Sequence, residues 1–449
     1  MVEAMSEFPS LRLHRALHGI TAGALFAVAF VVGWRLEIAI HLGALREPLA
    51  ALGMIVLLLA FLGHRPAVRR WSTRLCLLIL TGLLAVAVTE VFFRAIRFDF
   101  RFQRAFWERT PPNWRRPIVP TGTVFFRHEG NVVWTGRVLP AYLDIIHLSA
   151  DAYADVPPLT LRYDRFGFRN EPRPEAWEIV VAGDSFTELG DVPYDRLFTT
   201  LLARGLDCRV LNLGVGDTGP LTQLSYLRDY GLSPVTRDVV MVFFEGNDLW
   251  DLIRERAAEK RFAETGRREY REFVPQSSFL RAVGELLKRP AGANQRFAPR
   301  VDAWFQGREG EVPVTLGLPP PGRAELAPEL FAALDNAFRR YAEFARAHHL
   351  RARLAFMPCK LRVLHGHLRF APEADDRVRN WTPGDLPEVI AAFCATNHIR
   401  FLDLTPALAA HTAATGELLY NHLYDVHLNA RGSEVVAETL IRDFRETGW

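Results

Sequence analysis

From about residue 177 onward the chain is built of short, near-continuously apolar runs: 178–183 (EIVVAG), 208–213 (CRVLNL), 238–244 (DVVMVFF), 352–357 (ARLAFM) and 399–404 (IRFLDL). A strand that is apolar on both faces has to be covered on both faces, which places it inside a parallel sheet. Amphipathic stretches such as 326–348 and 384–397 lie between these runs and read as the covering helices. Thr405 followed by Pro406 reads as a helix N-cap and first-turn proline, where the fifth strand hands over to a helix. A last helix is expected over 430–446, capped by Asn429, with Val436, Leu440 and Phe444 on one face. Alternation of this kind predicts an α/β fold that binds ligands at the carboxyl ends of its strands. Chemistry is therefore sought just after each strand.

Of the 449 residues, 49% are hydrophobic and 23% charged, but the apolar residues concentrate in the first 93 positions. Residues 16–34 and 75–93 are long and almost uncharged, near the roughly 20 residues a spanning helix needs. Between them, residues 48–63 form a shorter span, second in chain order. Arg12 and Arg15 precede the first span, while Arg65, Arg69, Arg70 and Arg74 follow the second, which the positive-inside rule places on the cytoplasmic side. Three spans then put residues 94–449 on the opposite side. Arg94, Arg97, Arg101 and Arg104, interleaved with Phe98, Phe100, Phe102 and Phe106, read as an interfacial segment. Ala27-Val28-Ala29 mimics a signal cleavage site, yet the apolar run continues to Trp34, as an anchor does.

The expected organisation is a transmembrane anchor over 1–93, a connector over 94–159 and an α/β domain over 160–449. The domain carries an insertion, 251–325, which starts highly charged and ends in Leu318-Pro319-Pro320-Pro321-Gly322. It reads as a solvated helix and linker, or as a lid over the site. A net charge of +3, from 54 basic and 51 acidic residues, argues for no nucleic-acid partner. The four cysteines show no C-x-x-C spacing and indicate neither a disulfide framework nor a zinc site.

The first strand ends in Gly183-Asp184-Ser185-Phe186-Thr187, so a serine stands where a strand turns into a helix. Taken alone, such a serine is more often an N-cap than a nucleophile. The second strand runs into Asn212-Leu213-Gly214-Val215-Gly216-Asp217-Thr218-Gly219 and the third into Glu245-Gly246-Asn247-Asp248. Near the C-terminus stands Asp425-Val426-His427-Leu428-Asn429. A serine needs an imidazole to take its proton, and a tetrahedral oxyanion needs donors aimed where charge develops. Strand ends and a helix-leading histidine supply such parts. No Gly-x-Ser-x-Gly surrounds Ser185, so the α/β-hydrolase elbow is not the template.

In their chain order these four segments resemble the blocks of the SGNH hydrolases, also called the GDSL family, over roughly residues 160–449. The phrase Arg162-Tyr163-Asp164-Arg165-Phe166-Gly167-Phe168-Arg169 resembles one that precedes the serine block in a bacterial membrane-anchored group. The resemblance implies a flavodoxin-like domain behind the transmembrane anchor, with Ser185 as nucleophile, His427 as general base and Asp425 orienting it. It places the amides of Ser185 and Gly216 and the side chain of Asn247 in the oxyanion hole, and requires no cofactor or metal. The implied activity is esterase or O-acyltransferase chemistry on an envelope polysaccharide, peptidoglycan or lipid ester. It would proceed at a bacterial inner membrane, with the catalytic domain on the periplasmic or extracellular side.

The sequence departs from the pattern in three places. Asp425 stands two residues before His427 rather than three, Glu245 replaces a glycine, and Gly214 and Asp217 compete with Gly216 for the second block. Residues 214–219 also spell a dinucleotide-type G-x-G-x-x-G, which would leave Ser185, Asn247 and His427 unexplained. His365, His367 and His422 offer metal ligands without a zinc spacing. The non-enzymatic alternative is a degenerate SGNH domain serving as an envelope binding or scaffold module.

Overall fold

The structure, a computed structural model, describes residues 11–35, 46–95, 98–99, 104–105, 116–118, 125–128, 130–136, 157–265, 301–317, 319–423 and 425–448. Two compact units result, one within Met1–Ala105 and the other comprising Phe106–Phe273 and Gly292–Trp449 apart from residues outside that description.

The first unit is three helices, α1 (Leu11–Arg35), α2 (Arg46–Phe61) and α3 (Pro66–Ala95). Pro66 opens α3, where its missing N–H costs nothing. Ala22, Leu25, Val56 and Cys76 pack between the helices, whereas Leu58, Phe61, Leu78, Leu84 and Val91 face outward. An outward apolar surface suits lipid rather than water. Two of the buried polar side chains are bonded inside the unit: His14 Nδ1 meets Thr73 Oγ1 at 3.2 Å, and Thr21 donates to the Leu17 carbonyl at 2.8 Å. All three helices are long and apolar enough to cross a membrane. The arginines expected in a loop after the second span instead stand, from Arg69 on, in the first turns of α3. Most of the expected interfacial segment and connector lies outside the described residues.

In the second unit a hairpin-like pair, β1 (Val133–Gly136) and β2 (Leu159–Arg162), precedes the main sheet. The sheet and its helices follow in chain order: β3 (Ile179–Gly183), α4 (Ser185–Glu188), α5 (Phe198–Leu206), β4 (Val210–Gly214), α6 (Pro220–Tyr230), β5 (Asp238–Phe244) and α7 (Asp248–Thr265). Next come β6 (Ala303–Gly307), β7 (Gly310–Val314), α8 (Pro328–Ala347), β8 (Arg351–Met357), α9 (Lys360–Leu364) and β9 (Leu368–Phe370). The chain closes with α10 (Leu386–Thr396), β10 (Arg400–Asp403), α11 (Thr405–Thr415) and α12 (Ala430–Glu446).

The main sheet is parallel throughout, in the order β4-β3-β5-β8-β10, the flavodoxin-like arrangement. Strand residues alternate between two cores. Val239, Met241 and Phe243 pack with Leu224, Phe338, Tyr341 and Ile390, while Val240, Val242 and Phe244 pack with Leu202, Leu408, Val436 and Leu440. Strand order reverses between β3 and β5, and this switch point is where such sheets open a crevice. The first, second and third motif segments all start at this edge.

Each expected strand agrees with an observed one to within about two residues, and Asn429 caps α12 through Oδ1, which accepts from Gly432 N at 2.9 Å. Thr405 is not a cap: it is the first residue of α11, and Asp403 Oδ1 accepts its N–H at 2.8 Å. The insertion is not a helix and linker alone. Its start is α7, which buries Leu252, Glu255 and Ala258, and its described end is the β6–β7 hairpin, which pairs with β9. Residues 266–300 lie outside the described residues.

Candidate active site

Ser185 is the first residue of α4, directly after β3. Asp184 caps that turn, its buried Oδ1 accepting from Phe186 N at 2.9 Å. Burial drives the Asp184 carboxyl up to about 7, against the pull of this bond and of His427. Gly214, at the end of β4, gives α4 room: a Cβ there would stand 2.4 Å from Glu188 N.

His427 reaches Ser185 from the far end of the chain, with Nε2 2.7 Å from Oγ. Its Nδ1 lies 2.5 Å from Asp425 Oδ1. The same carboxylate oxygen accepts from His427 N at 2.8 Å, so Asp425 and His427 form an Asx turn. This local turn makes the two-residue spacing work. With the Nδ1 proton facing Asp425, Nε2 is left to accept from the Ser185 hydroxyl. Burial disfavours the imidazolium, but Asp425, followed by Asp191 and Asp184, outweighs it and lifts the His427 pKa to about 9. Asp191 itself is raised to about 6 by burial and by Asp425. Its Oδ2 accepts from Asn421 Nδ2.

Asn247 follows β5 at the switch point, and its Nδ2 donates one hydrogen to Asp251 Oδ2 at 2.6 Å, leaving the other to aim elsewhere. Gly216 follows β4, but its N–H donates to Glu188 Oε2 at 2.8 Å. The expected oxyanion donor is thus engaged with a buried carboxylate. Of its competitors, Gly214 N donates to Asn212 Oδ1 at 2.7 Å, and Asp217 sits in left-handed backbone at φ 61°. Burial opposes the charge on Glu188, yet His128 (Nε2 at 2.8 Å), Gly216 N and Tyr163 OH (2.9 Å) together lower its pKa to about 2. Glu245, in the place of a glycine, is fully buried and paired: it accepts from Cys359 N at 3.0 Å and from Arg362 Nε at 2.7 Å.

The phrase before the serine block forms the back wall. Buried Arg169 donates to the carbonyls of Glu188, at 3.0 Å, and of Leu189 and Val192. Asn170 exchanges two 2.9 Å bonds with the Asn212 backbone and holds Asp164 at 2.9 Å. Sequence reading noted the phrase without assigning it a task, and passed over Asp251 as well as Glu188 and Asp191, the last two having partners from distant segments. His365 bonds the Trp381 carbonyl at 3.0 Å, and no cluster of three metal-ligating side chains occurs among the described residues.

A serine hydroxyl, an imidazole and a carboxylate are thus joined in series at the carboxyl end of a 2-1-3-4-5 parallel sheet. The chain belongs to the GDSL-like lipase/acylhydrolase family, whose model matches residues 181–435, and this assigns it to ester hydrolysis in general. Among solved structures it is similar to an acetyl xylan esterase, AlAXEase, at 13% identity, covering 59% of this chain and 98% of that one with a TM-score of 0.32. A lipase/acylhydrolase from Enterococcus faecalis matches at 12% identity, covering 60% and 95%, with a TM-score of 0.30. An acetyl-xylooligosaccharide esterase from Geobacillus Stearmophilus, in a mutant form, matches at 11% identity, covering 62% and 97%, with a TM-score of 0.32. No curated protein matches the chain.

Proposed function

We propose that this chain is a membrane-anchored serine esterase that cleaves, or transfers to another hydroxyl, an O-acyl group on an envelope glycan or lipid. The observation that carries the reading is the hydrogen-bonded series Ser185 Oγ, His427 Nε2 and Nδ1, Asp425 Oδ1, at 2.7 and 2.5 Å. Ser185 Oγ attacks the ester carbonyl and passes its proton to His427, and the imidazolium returns that proton to the departing alkoxide. Water or a second hydroxyl then repeats the sequence on the acyl-serine. Asp425 holds the tautomer and stabilises the imidazolium. The oxyanion is received by the Ser185 amide and the second Nδ2 hydrogen of Asn247. Gly216 joins them only where Glu188 gives up its amide. Three apolar N-terminal helices support a membrane setting, and the far side of a bacterial inner membrane supplies acylated glycans and lipids.

A fluorophosphonate probe is expected to label the full chain and not Ser185→Ala, and labelling of the variant would refute the nucleophile. Turnover of acetylated glycans with and without an acceptor sugar separates hydrolysis from transfer, since a transferase forms acylated acceptor at the expense of free acid.

A further inference from the structure

The spacing of Asp425 and His427 departs from the usual pattern, and something must hold the intervening backbone in the one shape that lets the two side chains meet. The neck of that segment is closed by the Tyr420–Leu428 bridge and by Asn421 N donating to the His427 carbonyl at 2.9 Å. Neither bond reaches the backbone carbonyl of Asp425. Lys360 does. It opens α9 at the end of β8, its side chain is fully buried, and its Nζ lies 2.5 Å from the Asn421 carbonyl, 2.9 Å from that of His422 and 3.2 Å from that of Asp425. A fourth acceptor, the Thr315 carbonyl at 2.7 Å, comes from the residue that follows β7. Thr315 N in turn donates to the His422 carbonyl at 3.0 Å, and buried Asp302 Oδ2 holds Leu316 N at 2.8 Å.

A buried ammonium is costly unless its donors are all used, and here three N–H bonds are shared among four carbonyls. Three of those carbonyls belong to the segment bearing Asp425, and the fourth belongs to the insertion. We infer that Lys360 is the positioning residue of the Asp425–His427 pair, gathering the Asn421, His422 and Asp425 carbonyls against the β6–β7 hairpin so that the Asx turn stays closed. The described end of the insertion is then a buttress behind the carboxylate rather than a cover over the serine. Asp425 and Asp302 face the ammonium as countercharges, and burial pulls its pKa down to about 7. The inference rests on the proposed Ser185–His427–Asp425 reading.

The test measures hydrolysis of 4-nitrophenyl acetate by the full chain in detergent. Lys360→Met is expected to lower kcat by about 100-fold, the scale of a small misplacement of a catalytic group, with KM little changed. In an Asp425→Asn background the same substitution is expected to cost no more than about threefold, because both changes break one unit. The far-downfield proton resonance of the His427–Asp425 hydrogen bond is expected to shift or broaden in Lys360→Met, which a merely structural loss elsewhere would leave in place. Wild-type kcat in Lys360→Met, or full additivity with Asp425→Asn, overturns the inference. If Lys360→Met does not fold, Lys360→Gln, which keeps two donors, takes its place, and failure of both to fold overturns the inference by making Lys360 a folding residue. Activity surviving in Ser185→Ala or His427→Ala defeats the underlying reading instead, and wild-type activity in Asp425→Asn removes Lys360's role while leaving the Ser185–His427 pair intact.

Discussion

His427 has to be neutral to accept the serine proton, and three carboxylates around it favour the charged form. With its pKa near 9, kcat/KM is expected to climb as pH rises toward that value. Asp191 is ionised above about 6, so throughout that climb it adds one negative charge beside the imidazole. Asp191→Asn is therefore expected to move the limb of the pH–rate profile to lower pH, and an unmoved limb would disconnect Asp191 from His427. The same shift has a sign for stability. A histidine raised above its ordinary 6.5 stabilises the fold fully below that pH and loses this contribution as pH rises through about 9. Asp425→Asn leaves the turn but not the tautomer, and steady-state turnover is expected to fall by up to about 10,000-fold. Combining it with His427→Ala is expected to be little worse than either change alone. A near-normal rate in Asp425→Asn would leave a Ser-His dyad.

Among the elements, β3 and β5 were legible because every residue in them is buried, and β4, β8 and β10 because each carries a short apolar run even where its first residues reach the surface. The motif segments were legible for a related reason: functional groups of such sheets follow strand ends, and Ser185 after β3 does meet His427, while Asn247 follows β5. What could not be read were roles decided by the backbone. Gly216 offered itself as a donor, but its N–H is spent on Glu188, a residue of another segment that His128 and Tyr163 hold ionised. Thr405 looked like a cap, yet Asp403 does that work from two residues earlier. Lys360 has carbonyl partners, which carry no sequence signature at all. Asn429 was readable because a cap precedes its helix in the sequence. Beyond Gly432 N it also donates to the Leu418 carbonyl at 2.7 Å, so Asn429→Ala is expected to lower stability by at least about 1 kcal/mol, measured by thermal unfolding.

For the whole molecule, parity of the spans decides which side the second unit occupies. With three spans and a cytoplasmic N-terminus, alkaline phosphatase fused after the last residue is expected to be active, and a silent fusion would mean that one of α1, α2 and α3 does not cross. Those helices turn Leu58, Phe61, Leu78, Leu84 and Val91 outward, away from one another. A catalyst fastened to a bilayer by such a surface searches a plane rather than a volume. For an ester that resides in that same plane, the quantity that saturates the enzyme becomes a surface density, and diluting the vesicles with buffer would leave the rate per enzyme unchanged while diluting the substrate with inert lipid would lower it.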